Sequence, residues 1–259
     1  MSKDDDRYAR HRPMLSDDGM RRLRSARVLL AGVGGLGSNV AVLLARLGVA
    51  RLIIRDPGVL DAPDLNRQVL YMAADLGRAK VDVARERLRE INPGLELDLA
   101  GERISADTRL PRADICFDCL DSFGARAALE SALCNGWGDD PAAGGDNGLL
   151  SGKHDAGSLP VPLIHGGAEG WFGQVSTLAA GGQGYRGLFG PAFDQRSAEQ
   201  AQGKPIMPHV VALVAAAQVG EFVRWCQAGT EEMLINRILV LDGLSHQHEI
   251  IRLNQQVVS

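Results

Sequence analysis

The 259-residue chain has little cysteine, few aromatics, no long apolar run and no excess of positive charge. Its four cysteines, Cys116, Cys119, Cys134 and Cys226, are too few and too scattered for a disulfide framework, and reduced thiols in a cytoplasmic protein fit them better. No apolar stretch reaches the roughly 20 residues of a membrane-spanning helix. The start, Met1-Ser2-Lys3-Asp4-Asp5-Asp6, is polar and acidic, without the apolar core of a secretory signal. Lys and Arg number 28 against 32 Asp and Glu, a net charge of −4, so nothing draws the whole molecule to nucleic acid or to an anionic membrane.

What is present is an ordinary globular composition, 45% hydrophobic, on a chain long enough to bury a core without disulfides or metal. Ser16 reads as the N-cap of a helix over residues 16–25. Arg27 to Ala31 reads as a buried strand, Asn39 to Leu47 as a helix stopped by Gly48, and Arg51 to Asp56 as a second strand; together they form a βαβ unit. A connection over 57–77 leads to a helix from Arg78 to Ile91, with Val81, Ala84, Leu88 and Ile91 on one stripe. Strands follow at 95–99 and 113–119, then a helix at 125–134. Residues 136–158 are rich in Gly and Asp and read as a flexible insertion, and 181–204 as a second irregular stretch. Strand material at 163–164 and 174–178, a long apolar helix at 210–226 and a hairpin of 237–242 with 249–253 complete the chain. The fold class expected is α/β: a Rossmann-like nucleotide-binding fold with a mostly parallel central sheet and a C-terminal antiparallel extension.

The chemistry begins at Gly32-Val33-Gly34-Gly35-Leu36-Gly37, between the first strand and its helix. Phosphate needs backbone N–H groups aimed at it, and glycine leaves that approach open; a helix N-terminus adds a favourable dipole. Asp56, 19 residues after Gly37, closes the next strand, where an acid accepts hydrogen bonds from both ribose hydroxyls. Nucleotide binding outweighs the alternative of a turn that merely packs helix on sheet. A nicotinamide-dependent dehydrogenase is the default for such a loop. The following Asp64-Leu65-Asn66-Arg67-Gln68 and Gly77-Arg78-Ala79-Lys80-Val81 suit a triphosphate better, because cations near the α-phosphate stabilise charge that develops there. Taken alone, Lys80 reads as a solvated helix flank.

These segments, with Arg7-Tyr8-Ala9-Arg10-His11, Ile91-Asn92-Pro93, Asp118-Cys119-Leu120-Asp121, Gly173-Gln174-Val175 and the helix through Gln218, occur in order across about residues 7–253. In that order the chain resembles the ubiquitin-activating, E1-like superfamily in its bacterial ThiF/MoeB/HesA branch. The resemblance implies one adenylation domain over 1–259: an N-terminal arm and helix (1–26), a nucleotide-binding half (27–135), the insertion (136–158) and a carrier-binding C-terminal half (159–259). It implies ATP-dependent adenylation of the Gly-Gly carboxylate of a ubiquitin-like sulfur-carrier protein, with pyrophosphate released. Asp56 would hold ribose, and Gly32, Gly34, Gly35, Gly37, Asn66 and Ser122 would line the nucleotide. Arg67 and Lys80 would contact phosphates, Asp121 would bind Mg²⁺, and Arg10 would act as an arginine finger into the second site of a homodimer. A non-catalytic scaffold, or adenylation of a small molecule or tRNA, is the alternative; the lack of a basic patch weighs against tRNA.

The chain departs from the resemblance in several places. Where relatives carry a zinc-binding Cys-x-x-Cys, it has Gly184-Tyr185-Arg186-Gly187, and its end, Leu253 to Ser259, has no cysteine, so no zinc site is expected. Cys116 and Cys119, three apart on a strand, should face opposite ways and pack in the core. No cysteine lies between Cys134 and Cys226, which removes a thioester on the mobile loop but leaves adenylation intact. Gly58, Asp64 and Ser122 replace an acid and two asparagines. The six histidines show no ligand or general-base pattern, and Trp171-Phe172 offers an apolar contact for a carrier tail.

Overall fold

A computed structural model describes residues 7–138, 158–180, 184–197 and 205–253. Nearly all of the insertion read at 136–158 and the cysteine-free tail after Leu253 lie outside the described residues. Five strands, β1 (Arg27–Ala31), β2 (Arg51–Arg55), β3 (Glu96–Ala100), β4 (Ile115–Asp118) and β5 (Leu163–Glu169), pair in parallel in the order β3-β2-β1-β4-β5. The sheet continues antiparallel through β6 (Phe172–Leu178), β7 (Arg237–Asp242) and β8 (Gln247–Arg252). The α/β class, the parallel centre and the antiparallel C-terminal extension are as the sequence predicts.

The central strands are apolar on both faces because helices cover both. Val28, Leu30, Leu52, Ile54, Phe117 and Ile164 face one layer, made by α1 (Asp17–Ser25), α2 (Gly35–Leu47), α3 (Lys80–Ile91) and α7 (Pro208–Ala228). Leu29, Ala31, Ile53, Cys116 and Leu163 face the other, made by α4 (Phe123–Cys134), α5 (Gly184–Phe189) and α6 (Ala192–Ser197). Cys119 packs in the first layer and Cys116 in the second, opposite faces as their spacing requires.

Helix ends follow local chemistry. Ser16 caps α1 by accepting from the Gly19 amide at 3.0 Å, and Gly48 ends α2 in the left-handed region at φ 88°. The long α7 is fixed to the C-terminal strands through Glu221, whose carboxylate accepts from Thr177 Oγ1 at 2.8 Å and the Leu234 amide at 2.6 Å. Gln218, also on α7, donates to the carbonyls of Asp118 and Ile164 at 2.9 and 3.2 Å, bridging the ends of β4 and β5.

Several elements differ from the sequence reading; β5, for one, runs five residues beyond the 163–164 expected. α2 starts at Gly35, inside the glycine run, rather than at Asn39, because sheet packing overrides the poor helix propensity of glycine. α3 starts at Lys80 rather than Arg78, after a short antiparallel bridge between Val59 and Ala79. Within 181–204, read as irregular, the described residues 184–197 hold α5 and α6, whose aromatic rings stack: Tyr185 on Phe193 at 5.3 Å and Phe189 on Phe193 at 6.1 Å.

Candidate active site at the carboxyl ends of the parallel strands

The chain leaves β1 towards β2 and later returns to β4 on the other side, so β1 and β4 flank the switch point where open α/β sheets leave a crevice. Three segments meet at the carboxyl ends there: the glycine turn after β1, Asp56 after β2, and Cys119 to Ser122 after β4.

The four glycines of the turn do different work. Gly32 is left-handed, at φ 87°, and a Cβ there would lie 2.9 Å from the Cys119 carbonyl oxygen. At Gly37 a Cβ would lie 2.0 Å from the carbonyl oxygen of Gly32. Gly37 is demanded by the close approach of α2 to the turn, and Gly32 by its left-handed backbone and the approach of the segment after β4. Gly34 and Gly35 are not: the nearest atoms to a Cβ would be 3.7 and 3.4 Å away, ordinary contact. What bareness at 34 and 35 secures is open access to the N-terminus of α2, which has no side-chain cap and so presents its first amides unpaired. Gly37→Ala is therefore expected to destabilise the fold by about 1–3 kcal/mol in urea denaturation, whereas Gly34→Ala should keep wild-type stability and lose nucleotide affinity; equal stability of the two variants would contradict this division.

Asp56 is buried. Its Oδ2 accepts from the Val33 amide at 2.7 Å and its Oδ1 from the Gly58 amide at 2.6 Å, so the acid is tied directly to the glycine turn. Tyr71 donates its hydroxyl to the Val33 carbonyl at 2.9 Å from below; burial, then Asp56, push that phenol above its ordinary range, so it stays a donor. Beside Asp56 runs Lys80, whose Cδ lies 3.1 Å from where a Cβ of Gly58 would be. Lys80 Nζ is 3.0 Å from Asp64 Oδ2, and its side chain is only 13% exposed. It is not the solvated flank that periodicity alone suggests. Arg67 Nη2 lies 3.7 Å from the other oxygen of Asp64, while Nη1 donates to the Pro63 carbonyl at 2.6 Å and to Asn66 Oδ1 at 3.0 Å. The Arg67 stem lies against Gly35, 3.5 Å from a Cβ placed there. Gly35, Arg67, Asp64, Lys80 and Asp56 thus form one contiguous wall, two cations held by one carboxylate beside open amides. Asn39, not singled out by sequence, donates to the carbonyls of Gly35 at 2.8 Å and Arg67 at 3.2 Å, joining the turn to the clamp; a lone amide on an apolar helix was its only signal.

Asp64 places a negative charge where the two cations would meet phosphate. At an effective dielectric near 20, a unit charge a few ångströms away is worth more than a kcal/mol. Asp64→Asn should therefore tighten ATP binding by about tenfold, or about 1.4 kcal/mol, in titration calorimetry. Weakened binding would instead show that Asp64 serves mainly to aim Lys80.

The opposite wall is the β4 turn. Asp121 is exposed and makes no hydrogen bond to any described residue. Ser122 caps α4, its Oγ accepting from the Ala125 amide at 3.2 Å, which leaves its O–H free to donate. Among the described residues no group of three or more His, Cys, Asp or Glu gathers as a metal site. Asp121 acts on Arg126 through its charge alone, and an exposed carboxylate of this kind fits Mg²⁺ that arrives with a nucleotide, because that ion commonly takes one or two carboxylates and completes its shell with phosphate and water.

Arg10 is not brought to this wall. Tyr8 packs against Gly48 at the C-terminal end of α2, and Arg7 donates to the Ile91 carbonyl at 3.1 Å and to Asn92 Oδ1 at 3.0 Å at the end of α3. A 13-residue helix spans about 20 Å, which leaves exposed Arg10 at the far end of α2 from the glycine turn. All four thiols are pushed above their ordinary range, in each case chiefly by burial, so none is a ready thiolate.

Glycine turn, buried acid and the two cations paired on Asp64 meet at a topological switch point, where open α/β sheets take their ligands. The chain belongs to the ThiF family, whose profile matches residues 8–257. It is 29% identical over 259 residues to the probable adenylyltransferase/sulfurtransferase MoeZ of Mycobacterium tuberculosis, covering 96% of this chain and 60% of that one. It is 30% identical over 164 residues to the sulfur carrier protein ThiS adenylyltransferase of Escherichia coli, covering 62% of this chain and 56% of that one. The chain thus spans less than two thirds of either relative. Among solved structures it superposes on Escherichia coli MccB, crystallised with ATP, at a TM-score of 0.72 and 18% identity, over 99% of this chain and 73% of that one, a likeness of fold. No helix among the described residues is long and apolar enough to cross a membrane.

Proposed function

We propose that this chain is an ATP-dependent adenylyltransferase acting on the C-terminal carboxylate of a small sulfur-carrier protein with a Gly-Gly tail. The observation that carries it is the convergence of Arg67 and Lys80 on one carboxylate beside Asp56 and the uncapped amides of α2. Asp56 takes the ribose hydroxyls by exchanging its bonds to backbone amides, and the α2 amides lie along the phosphates. Arg67 and Lys80 leave Asp64 for phosphate oxygens. A carrier carboxylate oxygen attacks the α-phosphorus, the bond to the bridging oxygen breaks, and pyrophosphate leaves with that electron pair, giving an acyl-adenylate. The cations hold the negative charge that grows on the phosphates. Mg²⁺, bound at Asp121, would supply further neutralisation of phosphate charge. No enzyme thiol is needed, consistent with the raised thiols.

The position of Arg10 suits action on a second copy, which supports the homodimer. Trp171 and Phe172, 38% and 58% exposed where the turn from β5 enters β6, offer the carrier tail an apolar face. The pairing of both cations with Asp64 favours a second reading, a nucleotide-binding scaffold without turnover. Trapping with hydroxylamine separates the two. A Gly-Gly carrier incubated with enzyme and ATP should yield its C-terminal hydroxamate, and a carrier lacking the last glycine should not. ATP binding without hydroxamate from any carrier would support the scaffold or a different carboxylate substrate.

A further inference from the structure

The most deeply buried ionisable cluster lies beneath the β4 turn rather than in the phosphate clamp. Asp118 ends β4 and pairs in register with His165 of β5, and both are fully buried. His165 Nδ1 is 2.6 Å from Asp118 Oδ2, and Arg126 Nε, from α4, donates to the same oxygen at 2.8 Å. The other oxygen of Asp118 accepts from the Leu120 amide at 2.9 Å, and Arg126 Nη2 donates to the Leu120 carbonyl at 2.6 Å. Both backbone groups of the residue before Asp121 are therefore held by this cluster. Gln174 of β6 lies 3.2 Å from His165 Nε2, and Tyr185 and Phe189 meet the imidazole edge-on.

A phenylalanine would fill the volume of His165 without the cost of burying an imidazole, and that cost is offset only by the two polar contacts. Asp118 and Arg126 already balance in charge, and burial opposes protonation of His165. The neutral ring therefore donates its Nδ1 proton to Asp118 and accepts from Gln174 at Nε2. We propose that His165 is a positioning residue: by fixing the Asp118 carboxylate it sets the Leu120 backbone, and so aims the Asp121 carboxylate at the metal–phosphate face of the site. The proposal rests on the reading that Asp121 meets Mg²⁺ bound to ATP.

The test uses the full chain and titration of a non-hydrolysable ATP analogue with and without Mg²⁺. Asn at 165 carries an amide donor near the place of Nδ1, and Gln carries one near Nε2. His165→Asn should keep the wild-type response to Mg²⁺. His165→Gln and His165→Phe should raise the Mg²⁺ concentration for half-maximal effect by about tenfold, a usual cost of losing a group behind a metal ligand, with Mg²⁺-free affinity unchanged. Asn and Gln variants that behave alike, or a loss equally large without Mg²⁺, would reduce His165 to packing and overturn the proposal; that contrast still decides if the Phe variant does not fold. A wild-type affinity indifferent to Mg²⁺ would instead remove the metal role of Asp121, and this proposal with it.

Discussion

Arg67→Ala is expected to slow acyl-adenylate formation by about 10²–10³-fold, and Lys80→Ala by a similar factor, the usual effect of removing one group that stabilises transition-state charge. Neither change should cost much stability. Among the described residues the Arg67 side chain bonds only to neighbours within four positions, and Lys80 pairs with Asp64 alone. Each alanine leaves the remaining cation alone with Asp64, so phosphate affinity falls as well as rate. Single-turnover measurements with saturating carrier separate the two effects, and urea denaturation checks the fold. Wild-type rates in both variants would show that these cations are not the phosphate clamp.

Arg126→Met is expected to be the most destabilising single change near the site, by about 3–5 kcal/mol in urea denaturation, because it leaves Asp118 charged and buried without its cation. Burial alone pushes the Asp118 carboxyl up, but Arg126, then His165, outweigh it and hold it below the usual range. Its contribution is therefore fully present above the ordinary carboxylate range and is lost only in stronger acid. His165 behaves differently. Burial, with help from Arg126, pushes its pKa below 6.5 against the opposing pull of Asp118. Between the folded and unfolded values the unfolded chain binds more protons, so stability falls as pH drops below about 6.5, by at most about 1.4 kcal/mol per pH unit. The charged groups facing the ring are Asp118 on β4 and Arg126 on α4, with the Tyr185 phenol on α5. In His165→Phe that portion of the slope should vanish; an unchanged slope would mean that another group titrates there.

The sequence made β1, β2 and β4 legible because they are short apolar runs bounded by turns, and the glycine turn with Asp56 because its chemistry is local. Ser16, Gly48 and the terminal hairpin were legible for the same reason. The start of α2 was not, since glycine is a poor helix former and only the packing of Gly37 on Gly32 explains it. α5 and α6 lie in a stretch without periodicity, and aromatic stacking is what holds them. In the site, Lys80 was found by motif, yet its burial and its bond to Asp64 come from tertiary structure. His165 showed no signal at all: its partners Asp118 and Arg126 lie 47 and 39 positions earlier in the chain, and the register of β4 with β5 is what joins them.

Carrier-dependent exchange of labelled pyrophosphate into ATP tests the central claim most directly, because it reports the reversible formation of an acyl-adenylate and nothing else. The account predicts exchange that requires Mg²⁺ and an intact Gly-Gly tail and that collapses in Arg67→Ala. Measurable ATP binding with no exchange for any Gly-Gly carrier would contradict it.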